Sequence, residues 1–383
     1  MHFELESIGA LEAHLAVHGD LRCVAVQGLE LEPLEARLLE VTADGAVFLG
    51  CHMSQGLLDH LMDEGAVIFP RLPRVPYRCY RPSLYTVDEL LEGYESSDPE
   101  SLWRATLDAR IYLHYDRHRR RDGPLPVVEA LAQRLHDHAV DDALAGLLHN
   151  GGEPLRVVGV MGGHSLSRTD DAYEAAARIG RGLARAGYLV ATGGGPGAME
   201  AANLGAWLAP MEDAALEVAL GRLRRAPGYR DAGWLESALA VRRELGGEGG
   251  AGGQSLAIPT WFYGHEPTNV FSRHVAKYFS NSLREDGLLA IATYGVIYAP
   301  GSAGTIQEVF MDAAQNHYGT LKVVSPMVFL GRDYWTSEKP VYPLLESLAA
   351  DRHYGRFLAL EDDPEAVVRF VESRPPEPWE DGG

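Results

Sequence analysis

From residue 155 onward, short runs of consecutive apolar residues alternate with stretches in which apolar positions recur every three to four residues. LRVVGVMGG at 155–163 reads as a buried strand ending in glycines, and DDAYEAAARIGRGLARAG at 170–187 as an amphipathic helix with a glycine stop. YLVAT at 188–192, GVIYA at 295–299 and MVFLG at 327–331 are further strands, and each leads into a helical pattern. PVYPLLESLAAD and DPEAVVRFVES supply late helices. Strands separated by helices of this length pair in parallel through right-handed crossovers, so the pattern predicts a doubly wound α/β sheet.

Residues 1–150 show a smaller α/β pattern. The β-type runs CVAVQGL at 23–29, GAVFLG at 45–50 and GAVIFP at 65–70 accompany helical GLLDHLMDEG at 56–65 and VDELLEGY at 87–94. One long helix is expected from about 102 to 121, and one or two more over 126–148. The polar turn HNGGEP at 149–154 marks the expected boundary between an N-terminal accessory or regulatory domain (1–150) and a second domain (151–374). An insertion over about 209–256 ends in GGEGGAGGQ and is expected to be mobile, and the tail 375–383 to be disordered.

The length of 383 residues suits two domains, and 46% hydrophobic residues give ample core. The net charge of −20 repels polyanions, which excludes a nucleic-acid polymer or an acidic membrane face as the main partner. An anion site must then be built locally. Cys23, Cys51 and Cys79 form neither a disulfide framework nor a CxxC pattern, so a reducing cytoplasm is expected. The start lacks a basic n-region, and the longest apolar stretch, 287–301, is too short and too broken to span a bilayer. A homodimer or higher homo-oligomer is expected.

Two glycine-rich loops carry the chemistry. The first, Gly193-Gly194-Gly195-Pro196-Gly197-Ala198-Met199, lies between a strand and a helix, where glycines admit close backbone approach and free N–H groups favour an anion. The second, Pro300-Gly301-Ser302-Ala303-Gly304-Thr305, has the same context, with Ser302 or Thr305 available as a helix cap and phosphate contact. Gly162-Gly163-His164-Ser165 ends the first strand of this domain and is a third candidate for the same ligand. No GxGxxG follows that first strand and no GxxxxGK[ST] occurs, so the loops point to a phosphate outside ordinary NAD or ATP handling.

TGGGPGAMEAANLGA at 192–206 and PGSAGTIQE at 300–308 resemble the GGGxxGxM and PGGxGTxxE motifs of the LOG family, whose members were formerly misannotated as lysine decarboxylases. The resemblance covers roughly 155–370 and implies a doubly wound Rossmann-like parallel sheet beside the smaller N-terminal α/β domain. It also implies an N-glycosidase, a phosphoribohydrolase that splits a nucleoside 5′-monophosphate into free base and ribose 5-phosphate without a cofactor. Larger relatives with an extra N-terminal domain act on general purine and pyrimidine monophosphates. Carried over, the motif glutamate falls on Glu308 and the phosphate loop on Gly301, Ser302, Ala303, Gly304 and Thr305, with Gly163, His164, Ser165, Gly194, Gly195, Gly197 and Met199 as further ligand contacts. The family's helix arginine falls nearest Arg284, one residue off the usual spacing, with Arg273 in reserve, and Ser302 replaces the second loop glycine.

These residue types suit that chemistry. N-glycoside hydrolysis passes through an oxocarbenium-like state, which a nearby carboxylate stabilises while aligning water, and an arginine holds phosphate or ribose in register. Two rivals stand beside this reading: a nucleotide-binding carrier or sensor without turnover, and a dinucleotide-dependent oxidoreductase. His136, Asp137, His138, Asp141 and Asp142 lie together, yet one helix cannot close a coordination shell, so no metal site is expected. Arg117, His118, Arg119, Arg120 and Arg121 form a dense basic run that reads as a solvated helix end, with an effector or phosphate site as the alternative. Lys277, the one lysine between the two loops, gives no support for a Schiff-base cofactor.

Overall fold

The computed structural model describes residues 3–72, 74–149, 152–246, 252–267 and 269–379. The chain divides into two compact units, one comprising Met1–Leu84 and Arg110–Leu147, the other Tyr85–Ala109 and Leu148–Gly383. The division is discontinuous, whereas the sequence suggests one crossing near residue 150.

The first unit contains a four-stranded parallel sheet in the order β1 (Phe3–Leu5), β2 (Val24–Gln27), β3 (Val47–Leu49), β4 (Val67–Phe69). Phe3 pairs with Val24, Ala25 with Val47 and Val47 with Val67. Helices α1 (Ile8–His18), α2 (Glu35–Leu38) and α3 (Gln55–Asp63) connect the strands. Ser7 and Ser54 cap α1 and α3 by accepting from Ala10 N and Leu57 N, which fixes where each helix starts. Leu11, Leu15, Val26, Phe48, Leu57 and Leu61 are buried in one core. The three β-type runs of the sequence became β2, β3 and β4. Neither β1 nor α1 was anticipated, because acids and histidines interrupt the apolar positions there.

The segment 85–109 belongs to the second unit and carries α4 (Val87–Leu90) and α5 (Ser101–Arg104). The next helix, α6 (Leu107–Arg119), is separate from α5, in place of the single helix expected over 102–121. Thr106 causes the break: its hydroxyl donates to Leu102 O and accepts from Ala109 N, closing one helix and opening the next. The long α7 (Val127–Leu148) follows.

The second unit is built on a seven-stranded sheet in which every pairing is parallel. Chain order runs β5 (Val157–Met161), α8 (Asp171–Arg185), β6 (Leu189–Thr192), α9 (Ala198–Trp207), α10 (Asp213–Leu223), α11 (Trp234–Leu245), β7 (Ser255–Ala257), β8 (His274–Val275), α12 (Asn281–Ile291), β9 (Val296–Tyr298) and α13 (Ala303–Tyr318). It continues with β10 (Val323–Val324), β11 (Met327–Leu330), α14 (Val341–Ala349), β12 (Leu358–Glu361), α15 (Pro364–Ser373) and β13 (Glu377–Pro378). Spatial order is β12-β11-β9-β5-β6-β7-β8, so the chain reverses direction across the sheet between β5 and β9. That reversal opens a crevice at the carboxyl ends of the central strands, the usual ligand position in open α/β sheets. The fold class read from the sequence holds: α/β, Rossmann-like, with a smaller parallel sheet in the first unit.

Two segments expected to be loose are structured. Most of the 209–256 insertion is the helix pair α10 and α11, with Leu216, Leu220, Trp234 and Val241 buried. At its end Gly246 and Gly252 lie against the Trp207 indole, and residues 247–251 fall outside the described residues. In the tail, β13 pairs antiparallel with β10, and Trp379 N donates to Lys322 O at 3.0 Å, while 380–383 fall outside the described residues. Among the described residues no helix is long and apolar enough to cross a membrane.

Candidate functional site

A cleft of about 520 Å³ lies at the switch between β5 and β9. Gly163, His164, Gly194, Gly195, Met199, Arg284, Ser302, Ala303, Gly304, Thr305 and Glu308 all line it. Ser165 and Gly197 do not. They line an adjoining hollow of about 200 Å³ together with Arg168 and Trp234. Gly301 sits beneath the second loop, with its carbonyl accepting from the Tyr334 hydroxyl and Thr305 Oγ1 in the space a Cβ would need.

The three loops are tied to one another. Gly163 N donates to Pro300 O at 2.9 Å, and Ala198 N donates to Gly163 O at 3.2 Å. Gly197 has φ +72°, and an added Cβ would lie 2.3 Å from Gly163 O, so only glycine fits this turn. A buried polar network supports the first loop from behind. The Thr192 hydroxyl donates to Asn203 Oδ1 at 2.6 Å and accepts from Gly194 N at 3.0 Å, while Asn269 N donates to Gly194 O at 3.2 Å. These contacts satisfy backbone groups that burial would otherwise leave unpaired.

The two helix N-termini at the loops differ in charge. The first turn of α9 carries Glu200, fully buried, whereas the first turn of α13 carries no acid. The positive end of the α13 dipole is therefore the less compensated of the two. Ser302 occupies the N-cap position of α13, yet its hydroxyl makes no capping bond, contrary to the capping role the sequence suggested.

Arg284 and Glu308 meet inside the cleft, with Arg284 Nη1 donating to Glu308 Oε1 at 3.0 Å and Nε donating to Ile258 O at 2.9 Å. Arg284 thus links α12, the end of β7 and α13. Arg273, the reserve candidate, lies outside the cleft and donates to Gly252 O at 3.1 Å. Burial pushes the Glu308 carboxyl up from its ordinary range, opposed by the Arg284 charge. An added Cβ at Gly193 would lie 2.1 Å from Arg284 Nη2. Because that atom ends a flexible side chain, Gly193→Ala should keep the fold and displace Arg284 from Glu308. A displacement of this kind lowers turnover about 10²-fold, readable as a fall in kcat with the thermal midpoint nearly unchanged.

One turn beyond Glu308, Asp312 is buried and accepts from the Tyr298 hydroxyl at 2.7 Å and from Asn316 Nδ2 at 3.1 Å. Burial raises its carboxyl to about 7, with the Tyr298 hydrogen bond opposing. The folded state therefore holds a proton that the unfolded chain, with an ordinary carboxyl near 4, releases. This contribution to stability is full at pH below about 4 and fades as pH rises to about 7. Asp312→Asn should flatten that slope in urea unfolding measured from pH 4.5 to 8. A slope unchanged by the substitution would place the proton elsewhere.

Lys277 also lines the cleft, a placement that sequence reasoning missed. Its Nζ lies 2.7 Å from Asp108 Oδ1 and donates to Oδ2 at 2.9 Å, and Trp261 Nε1 donates to Asp108 Oδ1 at 2.7 Å. Burial alone would raise the Asp108 carboxyl, but the Lys277 charge holds it below the usual carboxylate range. Asp108 comes from the 85–109 segment, which Tyr85 and Val275 also join to the sheet through reciprocal N–H···O bonds of 3.0 and 2.9 Å. That anchoring explains why 85–109 folds with the second unit. Glu266 and Tyr263 complete a polar wall that no local motif announced.

Residues 155–210, which span β5, the first glycine loop and α9, match the SLOG cluster4 family. The chain carries a SLOG-type Rossmann-like unit. Among solved structures the SLOG-type unit is similar to the molybdenum cofactor binding protein of the phototrophic bacterium Rippkaea orientalis, at 16% identity and TM-score 0.37 over 58% of this chain and 98% of that one. The Moco carrier protein of Chlamydomonas reinhardtii gives 17% identity and TM-score 0.35 over 57% of this chain and 96% of that one. The structural-genomics target TM1055 gives 20% identity and TM-score 0.35 over 57% and 99%. No curated protein matches the chain.

Proposed function

We propose that the cleft hydrolyses the N-glycosidic bond of a nucleoside 5′-monophosphate, releasing free base and ribose 5-phosphate. The observation that carries this reading is the Arg284–Glu308 pair lying in the same cleft as two glycine-rich helix N-termini. The 5′-phosphate sits at the Ser302–Thr305 turn, where the α13 dipole is uncompensated and the Ser302 hydroxyl is free of capping duty. Glu308, one turn further along the same helix, then faces the ribose. In its ionised form it stabilises positive charge at C1 and orients the attacking water. Arg284 keeps Glu308 ionised and holds the sugar phosphate in register. Lys277, neutralised by Asp108, keeps the far wall from repelling or over-binding the anion.

The test is incubation of the full chain with a panel of purine and pyrimidine nucleoside monophosphates, reading free base by chromatography and ribose 5-phosphate enzymatically. Release of both products in equal amounts is the expected result. Tight binding of a nucleotide recovered unchanged after long incubation would instead identify a carrier or sensor. Absence of both binding and base release across the panel would remove the nucleotide reading altogether.

A further inference from the structure

The first unit holds a cluster of ligating side chains that the cleft does not use. His114 and His118 stand four residues apart on α6, and so on one face of that helix. Glu129 reaches the same place from the first turn of α7. The ligand atoms of these three residues all lie within 4.8 Å of one another. His114 Nε2 is 2.9 Å from Glu129 Oε2, and the two imidazoles pack edge to face with centroids 4.7 Å apart.

Two features distinguish this cluster from a chance grouping of polar residues. Glu129 is buried and oriented: the Tyr77 hydroxyl donates to its Oε1 at 3.1 Å and Gln133 Nε2 donates to the same oxygen at 3.0 Å. Both donors occupy Oε1, which leaves Oε2 turned toward the imidazoles, the arrangement by which outer-shell groups set a metal ligand. In addition, His118 Nδ1 is buried and has no hydrogen-bond partner among the described residues. A buried imidazole nitrogen without a partner is costly, and a bound cation satisfies it.

We propose that His114, His118 and Glu129 form a binding site for a divalent transition metal of the zinc type, with a fourth position open to water or an added donor. Two imidazoles and one carboxylate suit Zn²⁺, whereas Mg²⁺ and Ca²⁺ prefer oxygen-only shells. The signal was present in the sequence as the His114-x-x-x-His118 spacing, hidden inside the basic run that reads as a solvated helix end. The neighbouring candidates weighed from sequence do not join the cluster, since His136 Nδ1 turns instead to Asp137 Oδ1 at 3.1 Å. The group Glu4, Glu6 and Asp142 in the same unit is all oxygen and would take a hard cation.

The experiment titrates the chelator-treated full chain with Co²⁺ and then Zn²⁺. One equivalent of Co²⁺ should bind with visible d–d bands of four- or five-coordinate intensity, and Zn²⁺ should displace it while millimolar Mg²⁺ does not. His118→Asn, at a half-buried position, should weaken binding by more than the roughly 10–100-fold expected for loss of an outer-shell partner, and Tyr77→Phe by that lesser amount. His138→Asn, on α7 outside the cluster, should leave binding unchanged, and circular dichroism checks that each variant is folded. Absence of a Co²⁺ spectrum from the wild-type chain would overturn the proposal. So would stoichiometric binding that survives His118→Asn, or ready displacement by Mg²⁺, which would point to the acidic group.

Discussion

Replacement of Glu308 by Gln should lower kcat for nucleotide hydrolysis by about 10²–10⁴-fold, the span typical of removing a positioned catalytic carboxylate. The amide preserves volume and can still accept from Arg284 Nη1, now 3.0 Å from Glu308 Oε1, so nucleotide affinity should change little. Only the charge facing C1 is lost, and that charge matters most when the sugar becomes cationic. The pH profile adds an independent check. Because burial raises the Glu308 carboxyl, the acidic limb of kcat/KM should lie above the ordinary carboxylate range, with activity rising as the group ionises. Glu308→Gln should abolish that limb in any residual activity. Loss of nucleotide binding together with turnover would show that the carboxylate supports the cradle and not the chemistry.

The largest effect on stability is expected at Arg168. Its side chain and that of Glu200 are almost completely excluded from solvent, with Nη2 2.5 Å from Glu200 Oε1 and Nε donating to Oε2 at 3.0 Å. Arg168 Nη1 also donates to Ala226 O at 3.2 Å, Trp234 O at 3.1 Å and Ser237 Oγ at 3.0 Å, and the guanidinium stacks on the Trp234 ring at 4.7 Å. One side chain thus secures α9 to the α10–α11 pair. Arg168→Met would leave Glu200 buried with only the Tyr173 hydroxyl, which donates to it at 2.9 Å. Stranding a buried charge costs about 3–5 kcal/mol, measurable as a shift in the chemical-denaturation midpoint. The double variant Arg168→Met with Glu200→Met should recover much of that loss, because the penalty comes from the stranded charge. A single variant costing less than about 1 kcal/mol, the scale of an exposed pair, would mean that water reaches Glu200.

The same pair bears on ligand recognition. Glu200 cancels the positive end of α9 but is itself neutralised by Arg168, so the first loop offers shape and backbone contacts with little net field. The second loop supplies the field. A phosphate placed by charge alone therefore selects α13 and brings the sugar to Glu308.

Much of this site was legible from residue types in order. Both glycine loops and Glu308 lie on the segments where the strand-then-helix pattern put them, because a βα turn is set by contiguous residues. Arg284 was a choice between two arginines that the sequence ranked but did not resolve. The fold resolves it because α12 passes over the end of β7, so Arg284 Nε bonds Ile258 O while Arg273 turns away to Gly252 O. The helices inside the insertion were obscured by the glycines that follow them, although α11 buries Trp234, Leu235, Ala238 and Val241 at helical spacing.

The sequence by itself determined the alternation of strands and helices, the parallel sheet that follows from it, the paired anion-binding turns and the need for a local positive site on a chain of charge −20. Each of these depends on neighbours a few residues apart, where periodicity and backbone chemistry act directly. Only the tertiary structure decided that 85–109 joins the second unit, that Asp108 meets Lys277 across 169 positions, that Arg284 faces Glu308, and that His114 and His118 converge on Glu129. Those meetings depend on which elements the crossovers bring side by side, and the pairing of distant charges leaves no local pattern to read.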